Sequence, residues 1–223
     1  GRIEAGQDIA LVSSGLSNRE GTVLGRNVSL DTRRQALDNT RGTLAATGTL
    51  SVGSGALNND GGRIRASGDL TIDTHGAALA NTNAGSAGGI LGEAKVTLAV
   101  GQLDNTAGFT GAKGALDVRG DTVVNTAGGR LVSESSVALS ARALDNRSGR
   151  IESAGDLTLA ASERVDNRGA LLRSGTKLSL ETAHLNNADT LATDQGIEGK
   201  ALVVRASDLD NSSGAIRADT TLN

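Results

Sequence analysis

Proline is absent from all 223 residues, as are cysteine, methionine, tryptophan and tyrosine, and Phe109 is the single aromatic residue. Without proline every residue keeps its backbone N–H, so nothing interrupts a ladder of hydrogen-bonded strands. Without cysteine there are no disulfides, thiol nucleophiles or thiolate metal sites. The shortage of rings counts against ligand pockets, protein hot spots and single-strand nucleic-acid platforms, which all lean on aromatics. Charge of one sign is lacking too: 22 Lys and Arg stand against 25 Asp and Glu, a net charge of −3. Arg and Asp are interspersed, so the pattern is not that of a nucleic-acid or membrane-surface binder. No apolar run approaches membrane-spanning length, and no signal peptide is present. The chain starts at Gly1 inside a repeat, and we read residues 1–223 as one repeat segment of a longer protein.

What the sequence does contain is a repeat. A unit of the form Leu-Asp-Asn-x-x-Gly starts at Leu16, Leu37, Leu57, Leu79, Leu103, Val123, Leu144, Val165, Leu185 and Leu209, at spacings of 20 to 24 residues. The first position is always Leu or Val. The third is always Asn: Asn18, Asn39, Asn59, Asn81, Asn105, Asn125, Asn146, Asn167, Asn187 and Asn211. A fixed period of this length marks a stacked architecture, in which each unit buries its apolar face only against its neighbours.

Aligned on this start, each unit holds three strand-like pieces: the Leu-Asp-Asn start, a second piece after the Gly (Gly62-Arg-Ile-Arg-Ala, Gly149-Arg-Ile-Glu-Ser), and a third that alternates aliphatic and polar residues (Asp69-Leu-Thr-Ile-Asp, Asp156-Leu-Thr-Leu-Ala). Alternation with Thr, Val and Ile is the signature of strands with one buried face, and no stretch carries an apolar period of 3.6. In-phase units pair each strand with its own copy in the next unit, so the sheets are parallel and rise about 4.8 Å per unit. The expected fold is all-β: a right-handed parallel β-helix of roughly 10–11 coils, about 50 Å long. A left-handed form would need shorter coils built on a hexapeptide repeat.

The invariant Asn is expected to stack as a buried line at one corner, satisfying backbone groups and its own copies. The sixth-position Gly (Gly21, Gly42, Gly62, Gly108, Gly128, Gly149 and Gly214) is expected to turn a corner with positive φ. The units starting at Leu79 and Leu185 are 24 residues long and lack that Gly. Their extra residues should form outward loops around Ala84 to Gly89 and Thr190 to Gly199, since lengthening a surface loop costs little.

These residues resemble the haemagglutinin repeats of large bacterial exoproteins exported by two-partner secretion. The stretch Leu144-Asp-Asn-Arg-Ser-Gly-Arg-Ile-Glu-Ser-Ala-Gly-Asp-Leu-Thr-Leu159 matches that repeat throughout, with Leu57 to Ile72 and Leu37 to Val52 close behind. The resemblance implies a β-helical shaft, export through an outer-membrane partner, and a secreted or cell-surface location. It implies host-cell receptors or glycans as partners, together with flanking coils of the parent protein. It covers adhesins and the stalks of contact-dependent growth-inhibition toxins alike.

Catalytic chemistry finds little footing. His75 and His184 lie five coils apart, about 24 Å, too far for one site. Neither sits in a triad or metal-ligand spacing, and no cofactor, metal site or enzymatic activity is expected. The triplet Arg119-Gly120-Asp121 follows a third strand, where it should lie in an exposed turn. It resembles the integrin-recognition triplet and is the candidate cell-attachment site; the alternative is a solvated turn. Arg147, Arg150, Arg168 and Arg173 come together on stacking, but Asp145, Glu152 and Asp166 share the patch and should pair with them.

Overall fold

The computed structural model describes residues 1–223 and contains strands and turns, with no helix. The chain winds as a β-solenoid of about 11 turns with about 21 residues per coil. Every strand pairing is parallel, and each strand pairs with the equivalent strand of the neighbouring coils, on both sides within the rod and on one side at its ends.

Three faces result. On the first, the motif's leading residue stacks in register: Leu37 on Leu57, Leu79 on Leu103, Val123 on Leu144, Leu185 on Leu209. On the second, the column runs Ile3, Val23, Leu44, Ile64, Ile90, Thr110, Leu131, Ile151, Leu172, Ile197 and Ile216. On the third, pairs such as Leu70 and Ile72 stack on Leu50 and Val52 below and on Val96 and Leu98 above. Alternation decides what faces in, because successive side chains of a strand point to opposite sides. The burial of Leu157–Asp166 begins buried, exposed, buried, exposed accordingly.

The inward columns merge into one core of 39 buried residues running along the rod. Each fully buried Leu or Ile contributes about 1.5–3 kcal/mol relative to exposure. A coil achieves that burial only with a coil on either side, so stability is shared between neighbours. Ile3, Leu209 and Leu222 belong to inward columns yet are 41%, 47% and 56% exposed, since each has a neighbouring coil on one side only.

Between the second and third faces every coil carries a small residue, such as Gly25, Ala46, Ala66, Gly92, Ala112 or Ser133. A Cβ on Gly92 would lie 2.5 Å from Val96 Cγ2, so the corner has no room for more. Where Ser stands there, its hydroxyl reaches a neighbouring carbonyl: Ser133 donates to Gly114 at 2.6 Å and Ser174 to Gly155 at 2.8 Å.

The corner between the third and first faces changes along the rod. Three of the first four coils turn it with left-handed residues: Gly15, then Arg33 and Arg34, then His75 and Gly76. Later coils have none there, and the two faces run together as single strands Val137–Asp145, Leu157–Asp166 and Lys177–Asn186. These bend at bulges, between Ala141 and Ala143 and between Ala161 and Arg164.

The two long units do place extra residues outside the stack, but the loops are shorter than expected: Ala84 and Thr190 are buried, and Gly196 to Gly199 belong to a paired strand whose Ile197 is in the core. Leu191 to Asp194 are exposed, and pairing resumes at Gly196 with Leu172 on Ile197. The other loop ends at Gly88, and Gly89 already belongs to strand Gly89–Gly92.

Candidate functional site

The defining feature is the corner that follows the first face, built from the six motif positions. Position one points into the core. Ser17, Ala80 and Val124 stand at position two in three of the ten units; in the other seven an Asp or Asn there accepts the backbone N–H two residues on, as Asp38 does from Thr40, Asp104 from Thr106 and Asn186 from Ala188, each at 3.0 Å. This short side chain replaces a missing strand partner where the chain leaves the sheet.

Position three forms a ladder. The side-chain amide of Asn18 donates to the oxygen of Asn39 at 2.7 Å, and the pattern continues through Asn59, Asn81, Asn105, Asn125, Asn146, Asn167, Asn187 and Asn211 at 2.7–2.8 Å. All the links point the same way along the rod. The second amide hydrogen goes to main-chain carbonyls: Asn105 donates to Arg130, and Asn125 to Arg150, both at 3.1 Å. Asn18 to Asn187 are buried, whereas Asn211, in the last such corner, is exposed. Thr110 replaces an aliphatic residue in the second-face column and is fully buried; its hydroxyl donates to Asn105 and accepts from Asn81.

Positive φ falls on position five, which corrects the expectation for the sixth-position Gly. Glu20, Arg41, Gly61, Asn83, Ala107, Ala127, Ser148, Gly169, Asp189 and Ser213 are all left-handed, whereas Gly21, Gly42, Gly62, Gly108, Gly149 and Gly214 are not. The sixth residue is Gly for space. A Cβ on Gly149 would sit 2.7 Å from the Asn146 side-chain oxygen and closer still to the Asn125 carbonyl; one on Gly42 would sit 2.6 Å from the Asn39 oxygen. Gly128 is the exception, left-handed at φ 78, because its unit carries one more corner residue and Gly129 fills the crowded place. Thr190 fits by using its bulk: its hydroxyl donates to the Asn187 carbonyl and accepts the N–H of Ala215.

The outer surface of the rod is laced with ion pairs, some within a coil and some between coils. Arg147 pairs with Asp145 at 2.6 Å and reaches Asp166 at 3.7 Å, and Arg168 pairs with Asp166 at 2.6 Å. Arg173 contacts Glu198 at 2.9 Å and Asp194 at 2.8 Å, tying the loop of the Leu185 unit down onto the second face; Arg150 lies 3.5 Å from Asp194. The hydroxyl of Thr40 draws Asp38 below the usual carboxylate range, helped by Arg19. Burial pushes Asp145 up, but Arg147 more than offsets it, leaving Asp145 lowered.

Arg119-Gly120-Asp121 lies at the third-to-first corner with Arg119 and Asp121 exposed. Its backbone is pinned within the stack: Asp121 N–H donates to Gly101 at 2.7 Å and Gly120 N–H to Ser140 at 3.1 Å. Arg142 grips both carboxylate oxygens of Asp121, at 2.9 and 3.2 Å, and holds its pKa below the ordinary carboxylate range. The same guanidinium bonds Glu163 at 2.6 Å. His75 Nδ1 lies 3.0 Å from the Ser54 carbonyl and His184 Nδ1 3.5 Å from Asp208. The two imidazoles share no site, and no cluster of three His, Asp or Glu side chains is placed to hold a metal.

Two features escaped sequence reasoning. Position five carries no residue-type signal, since Glu, Arg, Ala and Ser occupy it as readily as Gly. The cap at position two escaped as well, although Asp or Asn recurs there in seven of the ten units and is the signal that could have found it.

A continuous polar ladder, one linear core and neighbour-to-neighbour pairing define a β-solenoid shaft. A family model for the haemagglutinin repeat matches residues 1–40, 23–85, 65–132 and 111–223, which together span the chain. The chain belongs to the haemagglutinin-repeat family, a structural and adhesin family whose members are typically secreted surface proteins. No curated protein and no solved structure matches it.

Proposed function

We propose that the chain is a non-enzymatic shaft segment of a large secreted bacterial adhesin, exported through an outer-membrane partner by two-partner secretion, and that it holds a distal binding domain away from the cell. The observation that carries this reading is the unbroken asparagine ladder, which passes through both long units without a gap. A rod with this continuity transmits position and force along its axis. The absence of disulfides suits passage through a pore as an extended chain, with coils forming one on another outside.

The test uses the parent exoprotein and the isolated 223-residue rod. Adding one complete coil to the parent should preserve export and host-cell attachment, and excess isolated rod should not compete with that attachment. Full competition by the rod would overturn the shaft reading and place the adhesive determinant in these coils. A parent that inhibits the growth of neighbouring bacteria and attaches to no host cell would make the segment a toxin-delivery stalk instead.

A further inference from the structure

Phe109 sits on the outer side of the second face, half-buried, in a recess of about 420 Å³ walled by the loop Ala84 to Gly88. The ring lies over Gly111, where an added Cβ would fall 2.8 Å from Phe109 Cζ and 3.2 Å from Leu91 Cδ1. Phe109 and Leu91 therefore form an apolar floor. Arg63 holds the loop in place by donating to the Ala87 carbonyl at 2.8 Å.

Two guanidiniums border this floor: one has no ion pair and the other a single long one, to a carboxylate outside the recess. Arg65 is exposed and makes no ion pair. Arg130 lies 5.9 Å above the Phe109 ring, with Glu152 no nearer than 3.8 Å. No carboxylate and no Asn or Gln side chain lines the recess, whose only hydroxyl is that of Ser86. Elsewhere on the rod Arg142, Arg147, Arg168 and Arg173 are each engaged with carboxylates at 2.6–2.9 Å.

We propose that this recess binds an extended acidic peptide segment of another protein, in which two carboxylates flank an apolar side chain. The apolar residue lies on Phe109 and Leu91, and the carboxylates meet Arg65 and Arg130. The spacing fits. The register Arg65, Leu91, Gly111, Val132 places Arg65 three coils from the strand of Arg130, about 14 Å along the axis at 4.8 Å per coil, with Arg130 two residues to one side, an offset of about 7 Å that the two long side chains span. Residues four apart in an extended peptide are separated by about 13–14 Å and point to the same side. A saccharide is disfavoured, because its hydroxyls need amide and carboxylate partners and the recess supplies none. The groove along Ala141, Ala161 and Thr182 on the later corners is larger but has no cation in its lining. The proposal does not rest on the shaft's role in host attachment.

The probe is the peptide Gly-Asp-Ser-Leu-Ser-Asp-Gly-amide carrying fluorescein on its N-terminal amine, titrated with the 223-residue chain and followed by anisotropy. Saturable binding should weaken as salt is raised. Arg65→Gln should lower affinity about five-fold, since it removes one charge contact. Phe109→Ala should lower it at least as much, and moving the two Asp residues to adjacent positions should weaken binding similarly. Arg65 has no intramolecular partner, so Arg65→Gln leaves the circular dichroism and melting of the rod unchanged and isolates the contact. No saturable binding, or affinity unaltered by both Arg65→Gln and Phe109→Ala, would overturn the proposal. So would displacement of the peptide by a neutral oligosaccharide.

Discussion

Replacing Asn125 by Ala tests the ladder at its centre. Asn125 is fully buried, accepts the Asn105 amide at 2.7 Å, and donates to the Asn146 oxygen at 2.7 Å and the Arg150 carbonyl at 3.1 Å. Truncation strands one amide hydrogen of Asn105 and the side-chain oxygen of Asn146 in a dry corner. A buried polar group left unpaired costs about 1–3 kcal/mol, so the pair costs about 2–6 kcal/mol. That is a large share of the roughly 5–15 kcal/mol that holds an ordinary domain together. The control is Asn211→Ala, at an exposed corner where water replaces the lost partners; there the cost should stay below about 1 kcal/mol. Urea unfolding followed by circular dichroism measures both. Stability in a solenoid passes between neighbours, so the central variant should also split the transition, with the two halves melting separately. Asn125→Asp adds a pH signature. Its carboxylate would face the Asn146 oxygen, acceptor against acceptor, which raises its folded pKa above the unfolded value of about 3.9. Stability should then be regained as pH falls through the raised folded value, because the protonated carboxyl can donate again. If Asn125→Ala costs no more than Asn211→Ala, the ladder is ornamental and the reasoning fails.

Other consequences follow from the same geometry. Gly149→Ala should destabilise by about 1–3 kcal/mol through overpacking against Asn125 and Asn146, whereas Gly128→Ala meets no atom within 4 Å and should cost about 1 kcal/mol through its left-handed backbone alone. The wild-type rod should lose stability in acid: Asp38, Asp60, Asp156 and Asp210 are lowered chiefly by Thr40, Thr82, Thr176 and Ser212 hydroxyls. Folded values below the unfolded one mean that this contribution is complete above about pH 4 and disappears as pH falls through the folded values, which melting curves between pH 6 and about pH 2 will show. Asp121→Asn should leave both the melting temperature and host-cell attachment of the parent unchanged, since the pair with Arg142 is exposed; lost attachment would instead make Arg119-Gly120-Asp121 a recognition site. Deleting Leu144 to Arg164, one whole coil, should preserve the fold by circular dichroism because Val123 can stack on Val165, while deleting half a coil should abolish it by turning later side chains to the wrong face.

The sequence by itself determined the coil. Ten in-phase starts with Leu or Val first and Asn third leave one way to pair the strands, because only in-register stacking lets Leu144 bury against Val123 and Val165 while Asn146 meets Asn125 and Asn167. Periodicity specifies neighbours, and in a solenoid neighbours are nearly the whole fold. What periodicity does not carry is the path of the chain within a coil. The sixth-position Gly was legible as necessary, but only the tertiary structure showed that Gly149 yields space to Asn125 and Asn146 while the left-handed turn falls on Ser148. A backbone angle imposed by closure of the coil leaves little mark on residue type. The outer surface was likewise undecided, since long side chains choose partners by three-dimensional reach: Arg142 closes on Asp121, and Arg173 reaches forward to the loop at Asp194. The recess over Phe109 exists because an outward loop from one coil meets a lone ring on the next, a meeting no single repeat encodes.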